Sequence, residues 1–153
     1  MNKITSFTVD HRFIVPGIYV SRIDNDITTY DMRTRRPNCG DYMDNITMHT
    51  FEHMFATYVR NSAIGDRVIY FGPMGCATGF YLLVRNSDNT ETLNVIKQVL
   101  KQIILHKGPV FGCSEAECGN YRSLRLSSAV LEAEKYLNVL EENKNIDFNY
   151  PKE

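Results

Sequence analysis

The chain has 153 residues, 43% of them hydrophobic, and its 17 Lys+Arg stand against 18 Asp+Glu for a net charge of −1. That length and apolar content predict one domain over residues 1–153, burying roughly 70% of its unfolded surface with no disulfide or metal needed for folding. The balanced charge excludes an electrostatic case for a nucleic-acid partner or a membrane surface. No segment approaches the ~18 apolar residues of a spanning helix and the first residues lack a signal-peptide pattern, so a cytoplasmic location is expected. In that reducing compartment Cys39, Cys76, Cys113 and Cys118 read as thiols or metal ligands.

In chain order, runs of β-branched and aromatic residues predict strands over 4–9, 18–23, 27–33, 67–71 and 79–84, with the "DND" of 24–26 turning the second into the third as a hairpin. A basic cluster, "RTRRP" at 33–37, reads as a solvated loop or as an anion site. Helices are predicted over 46–62, 90–105 and 123–142. The second carries an apolar stripe of Leu93, Ile96, Leu100 and Ile103, the third one of Leu126, Val130, Ala133, Leu137 and Leu140. Strands and helices do not alternate regularly, which predicts an α+β fold with an antiparallel sheet packed against helices. "YPKE" closes the chain as a loose tail.

The first helix holds "HTFEH" at 49–53. At about 100° per residue, His49, Glu52 and His53 share one arc of about 100° while Phe51, Phe55 and Val59 point the other way, towards a core. Two imidazoles at i and i+4 suit one tetrahedral metal ion, and a carboxylate beside them can serve as a general base. His-x-x-Glu-His is also the inverted zincin motif of metallopeptidases. A third ligand is required. His106, in "LHKGP", reads as a solvated residue past a helix end. Cys118 and Cys113 both lie before the last helix, and spacing does not choose between them. Cys76 sits between glycines in "FGPMGCATGF", a tight loop that presents its thiol for acid/base or nucleophilic work.

Five motifs in order extend this pattern: "SFTVDH" (6–11), "YDMRTRRPN" (30–38), "HTFEH" (49–53), "PMGCATGFY" (73–81) and "ECGN" (117–120). Together they resemble the S-ribosylhomocysteine lyase (LuxS, autoinducer-2 synthase) family over nearly the whole chain. The resemblance implies a divalent metal, Fe(II) natively with zinc or cobalt as substitutes, held by His49, His53 and Cys118, which favours Cys118 over Cys113. It implies Cys76 and Glu52 as the acid/base pair, and Ser6, His11 and Arg33 as contacts to the ribose portion of S-ribosylhomocysteine. It also implies that Arg60 reaches towards the homocysteine carboxylate in a neighbouring subunit's site, hence a homodimer with active sites at the interface. The sequence departs from the family at Tyr70, where an acidic residue usually receives the substrate's amino group, and at Arg35 and Arg36. Two rival readings remain at this stage. One is a metallopeptidase using Glu132 or Glu134 as third ligand; the other is a structural-metal domain in which Cys113 closes a four-ligand site.

Overall fold

The computed structural model of the chain describes residues 1–152; Glu153, the last position of the expected domain and tail, lies outside the described residues. Strands β1 (Gly17–Asp24) and β2 (Ile27–Arg33) form the expected hairpin, with Asn25 in the left-handed region that asparagine tolerates at such turns. Helix α1 (Asn45–Arg60) follows, then a second hairpin of β3 (Val68–Pro73) and β4 (Gly79–Arg85), and finally α2 (Asn89–Ile104) and α3 (Leu126–Glu142). The four strands make one antiparallel sheet in the order β1-β2-β4-β3. The α+β architecture is as the patterning predicts.

Pleating divides the sheet into two unlike faces. Tyr30 and Met32 of β2 and Phe80, Leu82 and Val84 of β4 join the core with the helices. Phe51 and Phe55 of α1 stack with Phe71 and Phe80, with centroid separations of 4.7 Å for Phe51–Phe80 and 4.4 Å for Phe55–Phe71. Each fully buried phenyl ring contributes about 1.5–3 kcal/mol of transfer free energy, so this block fixes α1 against the sheet. Gly79 is required where β4 meets β2, because a Cβ there would stand 2.6 Å from the Met32 carbonyl oxygen. Asp31, Arg33 and Tyr81 alternate to the opposite face, which the N-terminal segment and the C-terminal tail partly cover.

Three expectations need correction. Residues 4–9 are not a strand. Thr5–Phe7 make a single 3-10 turn in which Thr8 Oγ1 donates to the Thr5 carbonyl at 2.6 Å, a local bond that competes with sheet pairing. Helix α3 begins at Leu126 rather than 123, and its buried face is Ala129, Glu132, Ala133, Tyr136 and Leu140, while Leu126, Val130 and Leu137 are only half-buried. The face is turned because two polar anchors direct it. Glu132 takes a bidentate ion pair from Arg35, which also holds Asp41, and Tyr136 donates to the Gly17 carbonyl at 2.9 Å. Arg35 therefore serves packing. The tail is not loose: Val20 N donates to the Phe148 carbonyl at 2.8 Å, and Tyr150 stacks on Tyr19.

Candidate active site

Helix α1 starts where Asp44 caps it, accepting from Thr47 N at 2.7 Å. Its buried residues include Phe51, Phe55 and Val59, so the opposite arc turns His49, Glu52 and His53 away from the core, each half-buried. Both imidazoles are fixed from behind. His49 Nδ1 lies 3.0 Å from the Ser123 carbonyl and His53 Nδ1 lies 2.8 Å from the Phe111 carbonyl. A carbonyl can only accept, so each Nδ1 carries a proton and, in the neutral ring, each Nε2 presents its lone pair. Cys118 Sγ stands 3.3 Å from His49 Nε2, and the ligand atoms of His49, His53 and Cys118 all lie within 4.8 Å of one another. Bonds of about 2.0 Å to nitrogen and 2.3 Å to sulfur in a tetrahedral shell separate an N,S pair by about 3.5 Å, so this donor set fits a divalent ion with one position open.

The segments that supply the two carbonyls have their own anchors. Arg125 N donates to Thr50 Oγ1 at 2.9 Å, tying the stretch before α3 to α1. Residues 123–125, which do not join α3, are thereby free to turn Ser123 O onto His49. Gly112 follows Phe111 at φ +67°, and a Cβ there would stand 3.1 Å from His53 Nδ1. Only glycine meets both demands at low cost.

Cys76 is exposed in the β3–β4 loop, as its flanking glycines predict. The loop is tied towards the start of α1 by Met43 N donating to the Ala77 carbonyl at 3.0 Å. Cys76 Sγ lies 3.0 Å from Thr78 Oγ1, which accepts from Arg33 Nη1 at 2.8 Å. Arginine can only donate, so Thr78 Oγ1 accepts from Arg33 and is in hydrogen-bond contact with the Cys76 sulfur as well. Arg33 is 2% exposed and forms a second, charged contact with Asp31, which is fully buried. Asp31 Oδ2 also accepts from the Tyr150 hydroxyl at 2.7 Å. Burial, reinforced by the Asp31 charge, pushes the Tyr150 phenol above its ordinary pKa.

Ser6, His11 and Arg33 line one small cavity of about 10 Å³ with Asp31, Tyr81 and Tyr150. Ser6 also borders a groove of about 370 Å³ running past Thr29, Tyr81 and Tyr70. Arg60 is not with these groups. Its guanidinium lies along β3, donating to the Val68 and Ile69 carbonyls at 3.3 and 3.5 Å. Glu52 has no ion-pair or side-chain hydrogen-bond partner among the described residues. Cys113 and Glu134 are exposed and lie outside the ligand cluster, and Glu132 is committed to Arg35. None of these rival ligands joins the two histidines.

Asp31, Thr78, Tyr150 and Gly112 were missed from the sequence. Asp31 had a signal, since a residue two before Arg33 on a strand shares its face. Thr78 had the same spacing from Cys76, but in a loop. Among the described residues no helix is long and apolar enough to cross a membrane.

The family described as S-Ribosylhomocysteinase (LuxS) matches residues 4–147. An S-ribosylhomocysteine lyase of Borreliella afzelii is 41% identical over 157 residues, covering 99% of this chain and all of its own length. The enzymes of the same name from Finegoldia magna and Clostridium beijerinckii are 43% and 40% identical, over 99% and 90% of this chain and 99% and 91% of their own. A match of that extent, on a chain whose two histidines and one cysteine converge as described, leaves one assignment: the chain belongs to the S-ribosylhomocysteinase (LuxS) family.

Proposed function

We propose that this chain is a metal-dependent S-ribosylhomocysteine lyase, cleaving the substrate's thioether to give homocysteine and 4,5-dihydroxy-2,3-pentanedione, the autoinducer-2 precursor. The observation that carries the reading is the convergence of His49, His53 and Cys118, with both histidines turned by main-chain carbonyls so that their Nε2 atoms are free. A divalent ion bound there, Fe(II) natively with zinc or cobalt as substitutes, would supply Lewis-acid polarisation of the sugar carbonyl.

The remaining work falls to the chain's own side chains. Moving a carbonyl along the sugar requires a proton to leave one carbon and another to arrive at its neighbour. Glu52, uncommitted on the ligand-bearing arc of α1, and Cys76, exposed on its loop, are the two groups assigned to those transfers. Once the carbonyl adjoins the carbon next to the thioether-bearing one, loss of a proton expels homocysteine thiolate, which leaves with the C–S electron pair and is then protonated. Ser6, His11 and Arg33 are assigned to the ribose hydroxyls. The 2% exposure of Arg33 has it act through the edge of its cavity rather than from an open surface.

Finer assignments accompany this reading. The protein works as one domain over residues 1–153, in the cytoplasm, and as a homodimer with active sites at the interface. The outer sheet face supports the dimer: Ile4 and Tyr70 are exposed apolar groups lining the groove on it. Arg60, assigned to the homocysteine carboxylate of the neighbouring site, holds its β3 carbonyls by long bonds that cost little to exchange. Tyr70, 52% exposed at the groove, leaves the substrate ammonium to a main-chain carbonyl near Phe71.

The test is anaerobic incubation of Fe(II)- or Co(II)-loaded protein with S-ribosylhomocysteine, following the homocysteine thiol. Thiol release by the wild type, reduced by ~10²-fold or more in Cys76→Ala and Glu52→Gln, is the expected result. A metal-replete wild type that releases no thiol would refute the assignment.

A further inference from the structure

We infer that His106 and Tyr58 form a latch that positions the His53 imidazole through the main chain of Phe111. This rests on the reading of His53 as a metal ligand.

His106 was expected to stand in solvent beyond α2. Instead it is half-buried and bonded at both ring nitrogens. Nε2 lies 2.9 Å from the Pro109 carbonyl, and Nδ1 lies 2.7 Å from the Tyr58 hydroxyl. Pro109 O can only accept, so Nε2 carries the proton and, in the neutral ring, Nδ1 accepts from Tyr58. One imidazole thus closes the turn 106–109 on itself and fastens it to α1.

The same two rings enclose Phe111. Its ring meets Tyr58 edge-on at 5.1 Å and His106 at 4.8 Å between centroids. The carbonyl of this residue is the one that holds His53 Nδ1 at 2.8 Å. Tyr58 lies on the same helix as His53, so the latch runs from α1, out through the loop and back to α1. Outside it, this stretch has little to hold it. Pro109 is exposed, Gly108 takes φ +100°, and only Val110 is buried. Without the latch the Phe111 carbonyl loses its fixed position, and the His53 ring loses the bond that sets its tautomer and aim. Partners of this kind behind a ligating histidine typically change metal affinity by ~10–100-fold when lost.

The experiment uses the full chain with Co(II), measuring its dissociation constant by chelator competition, its ligand-field spectrum, and the melting temperature of the metal-free protein. His106→Ala should weaken Co(II) binding by ~10-fold or more and alter the ligand-field bands. Tyr58→Phe removes one oxygen and keeps both ring contacts; it should weaken binding by a few-fold, with the same spectral change in smaller amount. It carries the test alone if His106→Ala does not fold. A merely structural role would lower the melting temperature and leave the affinity and bands at wild-type values, and that result overturns the latch. His53→Ala separates the two readings. If it still binds Co(II) like the wild type, or if the wild type binds none, the metal assignment falls and the latch with it. If it loses Co(II) while both latch variants bind normally, the latch alone falls.

Discussion

His49 and His53 are held by main-chain oxygens from loops, whereas Arg33 is held by side chains from a strand and a loop. The two regions solve the same problem, fixing a long polar side chain, at different depths. The histidines are half-buried, so a single carbonyl behind each ring suffices. Arg33 is charged and 2% exposed, and a cation so placed needs an anion and satisfied donors around it. Asp31 supplies the anion through two bonds of 3.1 and 2.6 Å, and Thr78 accepts from the far side of the guanidinium. The metal end can therefore be disturbed without unfolding the chain, while the Arg33 end binds site and stability together.

The sharpest way to break this contrast is Asp31→Asn. It removes the counter-charge from a buried guanidinium and should cost about 3–5 kcal/mol of folding stability, read from urea or guanidinium unfolding. Co(II) affinity of the folded fraction should stay near that of the wild type, because no ligand or carbonyl anchor touches Asp31. A loss below about 1 kcal/mol would mean that the pair carries no more than a surface ion pair does.

The histidine pair was legible because its information lies in spacing on one helix, and the core face of α1 came out as Phe51, Phe55 and Val59 for the same reason. What holds the histidines was not legible, since a carbonyl has no identity in the sequence: Ser123 and Phe111 act through atoms that every residue has. Asp31 was hidden differently. Strand alternation gives its face but not its burial, which arises only when residues 6–14 and the tail fold over the sheet. Tyr150 was read as part of a loose end because its anchors, Tyr19 and Asp31, are more than a hundred residues away. The turned face of α3 has the same origin, for a buried Glu132 follows from Arg35 and not from any helical periodicity.

Gly112→Ala tests whether the metal end depends on its loops as closely as the geometry implies. Alanine at φ +67° is strained by about 1–3 kcal/mol. Its Cβ would also press on His53 Nδ1 at 3.1 Å, so the ring or the loop must shift. Co(II) affinity should fall by ~10-fold, beyond any change in melting temperature. Asp31→Asn gives the reverse pattern, and the two variants together would separate a site held by backbone from one held by charge. Equal affinity in Gly112→Ala would mean that the carbonyl of Phe111 is free to follow the ring.

The smallest expected effect concerns the helix that links the two regions. Asp44 caps α1 one residue after Met43 ties the Cys76 loop to it. Its bond from Thr47 N holds the Asp44 carboxyl below the usual carboxylate range. Asp44→Ala should cost about 1 kcal/mol at neutral pH. The sign of its pH dependence follows from the lowered pKa. The carboxylate's contribution is complete above the unfolded value of about 3.9 and disappears as the pH falls through the lower folded one. Asp44→Asn keeps an oxygen acceptor without the charge, so its own contribution should be flat across that window. The measurement is unfolding free energy from pH 7 down to pH 3. The wild type and Asp44→Ala should converge as the pH drops, while Asp44→Asn and Asp44→Ala keep a constant separation. A wild-type advantage that persisted unchanged to pH 3 would show that packing around the cap, rather than the ionised bond, starts the helix that carries His49, Glu52 and His53.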